Sequence, residues 1–178
     1  VYQQHLFGLP VFLNQILGNK GPSVYGMVMT TNGLTVVLCT AAVTALLARK
    51  RPAVNIALAA VFYALGFGML YFTAGSAAVL VSTFIWTLGE IMSATNVQVF
   101  IAARTPSSHR GRMNAFIGWI SGWGSTAAPL LSGAFIGTFG NRALWPAVAA
   151  LSLGAALMLL AIARYDAVRR IDRRAEAA

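Results

Sequence analysis

Glu90 is the residue of this chain placed to do chemistry. It lies in the apolar run 77–103, whereas the other three acids, Asp166, Asp172 and Glu176, all fall in the C-terminal tail. An ionisable group at the middle of a membrane span costs about 2.5–3.5 kcal/mol on insertion scales, so a carboxyl group there needs a use. It can release and take up a proton, which is what coupling to a proton gradient requires. Thr83, Thr87, Glu90 and Ala94 follow three- and four-residue spacing and share one helix face. Small and hydroxylated side chains on that face leave room for a substrate beside the acid. The competing reading is a neutral Glu that hydrogen-bonds a neighbouring helix as glue. Gln3, Gln4, Asn14 and Gln15 of the first run are further candidates for lining a cavity. So is Asn96, although it points about 120° away from Glu90 around a helix.

The chain that must position these residues is far too apolar for a soluble domain. Of its 178 residues, 58% are hydrophobic and only 10% are charged, with a mean hydropathy of +0.71. Soluble domains carry roughly 25% charged residues. The net charge of +9 would favour nucleic acid in a soluble protein, but here the basic residues cluster in short segments between apolar runs. The reading is therefore a membrane protein with no nucleic-acid partner. Cys39 stands alone and His5 and His109 are far apart, so neither a metal nor another cofactor is expected. No basic segment of a cleavable leader opens the sequence.

Charges and turn residues cut the sequence into six apolar runs, 1–17, 23–48, 53–72, 77–103, 113–138 and 143–163. About 20 residues cross the hydrocarbon of a bilayer, and five runs meet that length. The first is short, which leads to the expectation that the chain is the later part of a longer transporter. Glu90 lies about 21 Å along a helix from Arg104, close to mid-depth. Basic residues fall at 49–51, 104–112 and in the tail 164–178 on one side, with only Lys20 and Arg142 on the other. A Lys/Arg excess in short loops marks the cytoplasmic face, so both chain ends are expected inside the cell membrane. The tail reads as a topology anchor, with lipid binding the alternative.

The runs also repeat in character. The first and fourth are polar, the second and fifth intermediate, and the third and sixth nearly bland. A shift of three spans reverses direction across the membrane, so this is the pattern of a 3+3 inverted repeat. The polar spans should line an aqueous cavity and the bland ones should face lipid. Gly118-x-x-x-Gly122 and Gly133-x-x-x-Gly137 in the fifth run suit close helix packing, and Pro129 would kink that span. Trp145 suits an interfacial belt. Trp86, Trp119 and Trp123 lie deeper, where stacking on a substrate and core packing compete.

The segment after the fourth run reads Pro106-Ser-Ser-His-Arg110-Gly111-Arg112. Pro106 should end the helix, Gly111 permit a tight turn, and Arg110 or Arg112 reach headgroup phosphates or pair with a helix end in one state of a gate. Together, Thr-Leu-Gly-Glu90-Ile and the following P-x-x-x-R-G-R resemble the tenth helix and next loop of major facilitator superfamily transporters, in particular the drug:proton antiporter branch. Tyr2-Gln-Gln with Leu9-Pro10, and Tyr25-Gly26 with Asn32, are similar to that family's seventh and eighth helices. The resemblance covers essentially the whole chain.

It implies an all-α membrane protein, six transmembrane helices forming one half of a major facilitator fold. An N-terminal six-helix half would be the missing partner, and the cargo would be a small amphipathic molecule or drug exported in exchange for protons. One departure is clear. The segment from Leu46 to Pro52 keeps only the basic charge of the family's G-x-x-x-D-R-x-G-R-R signature, so that signature's gating role is not carried over. Three alternatives stand beside this reading: a peptide or other solute:proton symporter, a six-span channel or assembly subunit acting as a homo-oligomer, and a membrane-embedded enzyme. The last lacks clustered His, Asp or Cys at a span end.

Overall fold

A computed structural model describes residues 1–175 of the chain, with side chains up to Ala167. The described residues are helices and short turns. A turn at Tyr2–His5 leads into α1 (Gly8–Leu17), followed by α2 (Gly21–Leu47), α3 (Pro52–Met69), α4 (Ser76–Ala102), α5 (Arg110–Phe139) and α6 (Leu144–Ala175). Four stretches are long and apolar enough to cross a membrane: Tyr2–Leu47, Pro52–Phe72, Ser76–Ala102 and Leu144–Ala167. The first of these holds two of the runs read from sequence. They are separated by a turn at Gly18–Lys20, where Gly18 takes a φ of 54°. Gly21 then lies against the backbone of Asn14, with no space for a Cβ. α1 alone, at 10 residues, extends about 15 Å. α5 has the length, at 30 residues, but its glycines, hydroxyls and arginines dilute its apolar character.

The breaks follow local chemistry. Pro52 occupies the first turn of α3, where its missing N–H costs nothing, and Arg51 before it is extended. Gly140, at φ 81°, ends α5. α6 runs past residue 163 without interruption, so the start of the tail is helical. Arg169, Arg170, Arg173 and Arg174, offered as its anchor, lie outside the described side chains.

α3 is the central helix, packed against α4 on one side and α6 on the other, while α2 lies on α4 and α1 on α2. This corrects the expectation that the bland third span faces lipid. Its small residues Ala53, Ala57, Ala59, Ala60, Ala64 and Gly66 are buried. In lipid, apolar surface gives no drive to associate, and small residues win the interior because they let backbones approach.

Other bland or aromatic positions also moved inward. Trp145 is fully buried between Phe12 and Phe67, with ring centroids at 5.3 and 6.1 Å, so its ring packs in the core. Trp86 is likewise core, stacked on Phe67 at 5.5 Å. Trp119 and Trp123 are exposed on α5. The α5 glycines at 118, 122 and 137 meet no atom within 4 Å where a Cβ would stand, so their spacing serves no helix contact among the described residues. α5 continues as a helix through Pro129.

Candidate functional site: the Glu90 cluster

Glu90 sits half-buried near the middle of α4, and two other elements converge on it. The Tyr2 hydroxyl donates to Glu90 Oε1 at 2.6 Å. Asn32 Nδ2, from the middle of α2, donates to Glu90 Oε2 at 2.7 Å and to Thr87 Oγ1 at 3.1 Å. Thr87 Oγ1 in turn donates to the Thr83 carbonyl at 2.7 Å, and Thr83 Oγ1 donates to the Val79 carbonyl at 2.9 Å. Both carboxylate oxygens therefore accept from neutral donors, and among the described residues no basic side chain bonds to Glu90. A pocket of 410 Å³ opens beside the acid, lined by Val1, Tyr2, Tyr63, Glu90, Ser93 and Ala94. His5 supports the Tyr2 end: its Nδ1 donates to the Tyr2 carbonyl at 2.6 Å, and its ring lies 4.4 Å from that of Tyr2 and 5.3 Å from that of Trp86.

The residues singled out from sequence separate into several places. Glu90 and Thr87 are brought together in one hydrogen-bonded cluster, with Thr83 one turn further along α4. Thr83 and Thr87 are fully buried, so they support the acid from behind and leave the open wall to Ser93 and Ala94. Gln3 and Gln4 turn away towards α5, donating to Ser125 Oγ at 2.8 Å and to Ser132 Oγ at 2.6 Å. Asn14 and Gln15 are exposed, and Gln15 lines a separate recess with Ile16, Ala74 and Arg142. Asn96 clasps α3 instead, accepting from Asn55 Nδ2 at 2.8 Å. Of these cavity candidates, only Glu90 borders the pocket.

In the segment after α4, the helix ends at Ala102, ahead of Pro106, which precedes a short turn at Ser107–His109. Arg110 opens α5, and Gly111 lies inside the first turn of that helix with open space around it. Gly111 thus makes no tight turn: the corner has already been taken at 107–109. Arg110 and Arg112 are exposed and unpaired among the described residues. The ion pair at this end is Arg104 with Asp166 of α6, the Arg104 guanidinium resting 3.7 Å above the Phe100 ring.

Sequence reasoning missed Tyr2, Asn32 and Tyr63 as partners of the acid. The signal for Asn32 was its isolation: it is the lone Asn of an otherwise apolar and hydroxylated helix.

Residues 5–177 match the family model of the Major Facilitator Superfamily. The chain belongs to that superfamily. Its general function is accordingly secondary transport of small molecules across a lipid bilayer. No curated protein and no solved structure matches the chain. For a facilitator chain, an acid held at mid-helix by neutral donors beside an open pocket is an arrangement that can exchange a proton or hold a cation.

Proposed function

We propose that the chain is the C-terminal six-helix bundle of a proton-coupled exporter of small amphipathic molecules, working by alternating access with an N-terminal bundle across the pocket. The observation that carries this is the Glu90 cluster: a carboxylate at the middle of an apolar helix, bonded to two neutral donors on separate elements. Proton binding at Glu90 reverses the sense of its contact with Tyr2, and so links protonation to how the first turn, α2 and α4 are held together. The test is exchange in proteoliposomes holding the full-length protein and an internal pH dye. Adding a transported amphipathic dye on one side, with no imposed gradient, is expected to drive protons the opposite way. Dye movement with no proton movement would overturn the coupling, and proton movement in the same direction would make the protein a symporter.

The proposed orientation places the segment 104–112 in the cytoplasm and Lys20 and Arg142 outside, in keeping with the basic asymmetry of the loops. Ser108 and Asn19 are both exposed, so cysteines introduced there report sidedness directly. In intact cells a membrane-impermeant maleimide is expected to label Asn19→Cys and spare Ser108→Cys. The reverse pattern would invert the topology.

A further inference from the structure

We propose that the Tyr2 hydroxyl is an internal stand-in for the N–H of a protonated amine, and that the pocket takes substrates carrying such an amine on a flat aromatic body. This rests on the reading of Glu90 as the transport site. The two donors on Glu90 are not equivalent. Asn32 is part-buried and bridges Glu90 Oε2 to Thr87, so losing it would strand two acceptors in the helix interior. Tyr2 makes a single bond to Oε1; that bond is exposed, and the residue itself is 40% exposed at the mouth of the pocket. Tyr2 is therefore the donor that an incoming ligand can replace.

The replacement is chemically specified. Among the described residues Glu90 is the one charged side chain in the lining, and its carboxylate repels an anion. An ammonium N–H on a carboxylate makes a charge-assisted bond, roughly twice as strong as one between neutral groups, and so outcompetes a phenol. The Tyr63 ring stands beside the acid, 6.2 Å from the Tyr2 ring and tilted 58° to it. Tyr63 also continues a stack onto Phe67, at 6.1 Å. It is a braced aromatic wall, able to attract a cation through its face and to seat a flat ring. Ser93 and Ala94 keep the opposite wall small.

The prediction has an unusual sign: removing a pocket hydroxyl strengthens binding. Equilibrium binding of 1-naphthylmethylamine to the purified full-length protein, without any gradient, is read by tryptophan fluorescence. Tyr2→Phe is expected to tighten it roughly three- to tenfold, the range for loss of one competing hydrogen bond. The N,N,N-trimethyl analogue, with the same charge and no N–H, should gain less than the amine does. Tyr63→Ala should weaken both. In wild-type protein carrying 3-fluorotyrosine, the amine should shift the resonance that Tyr2→Phe removes, a readout independent of that variant's folding. Unchanged or weaker amine binding in Tyr2→Phe, or an unmoved Tyr2 resonance, overturns the proposal. Because no proton gradient is applied, its failure leaves proton coupling standing. Conversely, proton-driven flux surviving in Glu90→Gln would end the coupling role and leave the amine site to its own test.

Discussion

Replacing Glu90 by Gln in the full-length protein is expected to abolish proton-driven flux while leaving the fold in place. The two halves of that statement come from the same geometry. Glu90 accepts from Tyr2 on Oε1 and from Asn32 on Oε2. A Gln side chain can keep its oxygen on Asn32 and turn its amide towards Tyr2, whose hydroxyl rotates to accept. One polar contact changes sense and none is lost, so stability should move by about 1 kcal/mol or less. The amide cannot release a proton, so a coupling role ends with the substitution. Flux in proteoliposomes under an imposed pH gradient should fall to that of protein-free vesicles, at matched protein levels and an unchanged melting temperature. Glu90→Asp should keep part of the activity with a displaced pH profile, since it retains the acid but draws it back from Tyr2 and Asn32. If Glu90 were interhelical glue, Gln would be nearly silent in transport. Glu90→Ala would then mainly lower folded yield, through lost bonds of about 0.6–2 kcal/mol. Wild-type flux from Glu90→Gln therefore decides against coupling.

How much of this site could be read from sequence depends on the range of the interaction. Glu90 itself was legible because a carboxyl in an apolar run is anomalous within its own helix. Thr83 and Thr87 followed from helical spacing, although spacing alone gave no sign that they would be sealed behind the acid. Tyr2 and Asn32 were not legible as partners. They lie 88 and 58 residues from Glu90, and the isolation of Asn32 in its helix marks it as unusual without saying what it faces. Gln3 and Gln4 show the converse. A polar first span was read as lining a cavity, but whether a glutamine faces water or another helix depends on what stands opposite, and here Ser125 and Ser132 of α5 do. The helix limits were largely accessible, because Pro, Gly and charge set them. Which helix is central was not. Hydropathy makes α3, like α6, a natural lipid-facing span, whereas packing in a membrane selects for smallness, and α3 is rich in alanine.

That smallness sets up the second large effect, at the crossing of α3 and α4. A Cβ on Gly89 would stand 2.8 Å from the Ala59 carbonyl oxygen, 3.1 Å from Phe62 Cβ and 3.3 Å from the Tyr63 nitrogen. A Cβ on Gly66 would stand 2.7 Å from both the backbone nitrogen and the Cβ of Trp86. The two glycines thus form a reciprocal pair: each helix presses its bare backbone against the other's, one turn apart along α4. The obstructing atoms are mostly backbone, which cannot swing aside as a side-chain tip can. The crossing also sets the site, because Tyr63 is itself one of those contacts and Glu90 follows Gly89 directly. Gly89→Val and Gly66→Val are each expected to destabilise the protein by about 2–3 kcal/mol, the upper part of the range for overpacking. Both should lower the melting temperature and the folded yield sharply. Gly89→Ala should fold better than Gly89→Val, yet still separate the helices enough to pull Glu90 from Asn32 and reduce flux. Gly154→Ala, on the open face of α6 with nothing within 4 Å of the new Cβ, is the matched control and should melt no lower than the wild type, since alanine favours the helix. Thermal unfolding in detergent, followed by tryptophan fluorescence, separates these outcomes. Valine accepted at either position without loss of stability would mean that the two helices do not meet at this crossing, and the placement of Tyr63 against Glu90 would fall with it.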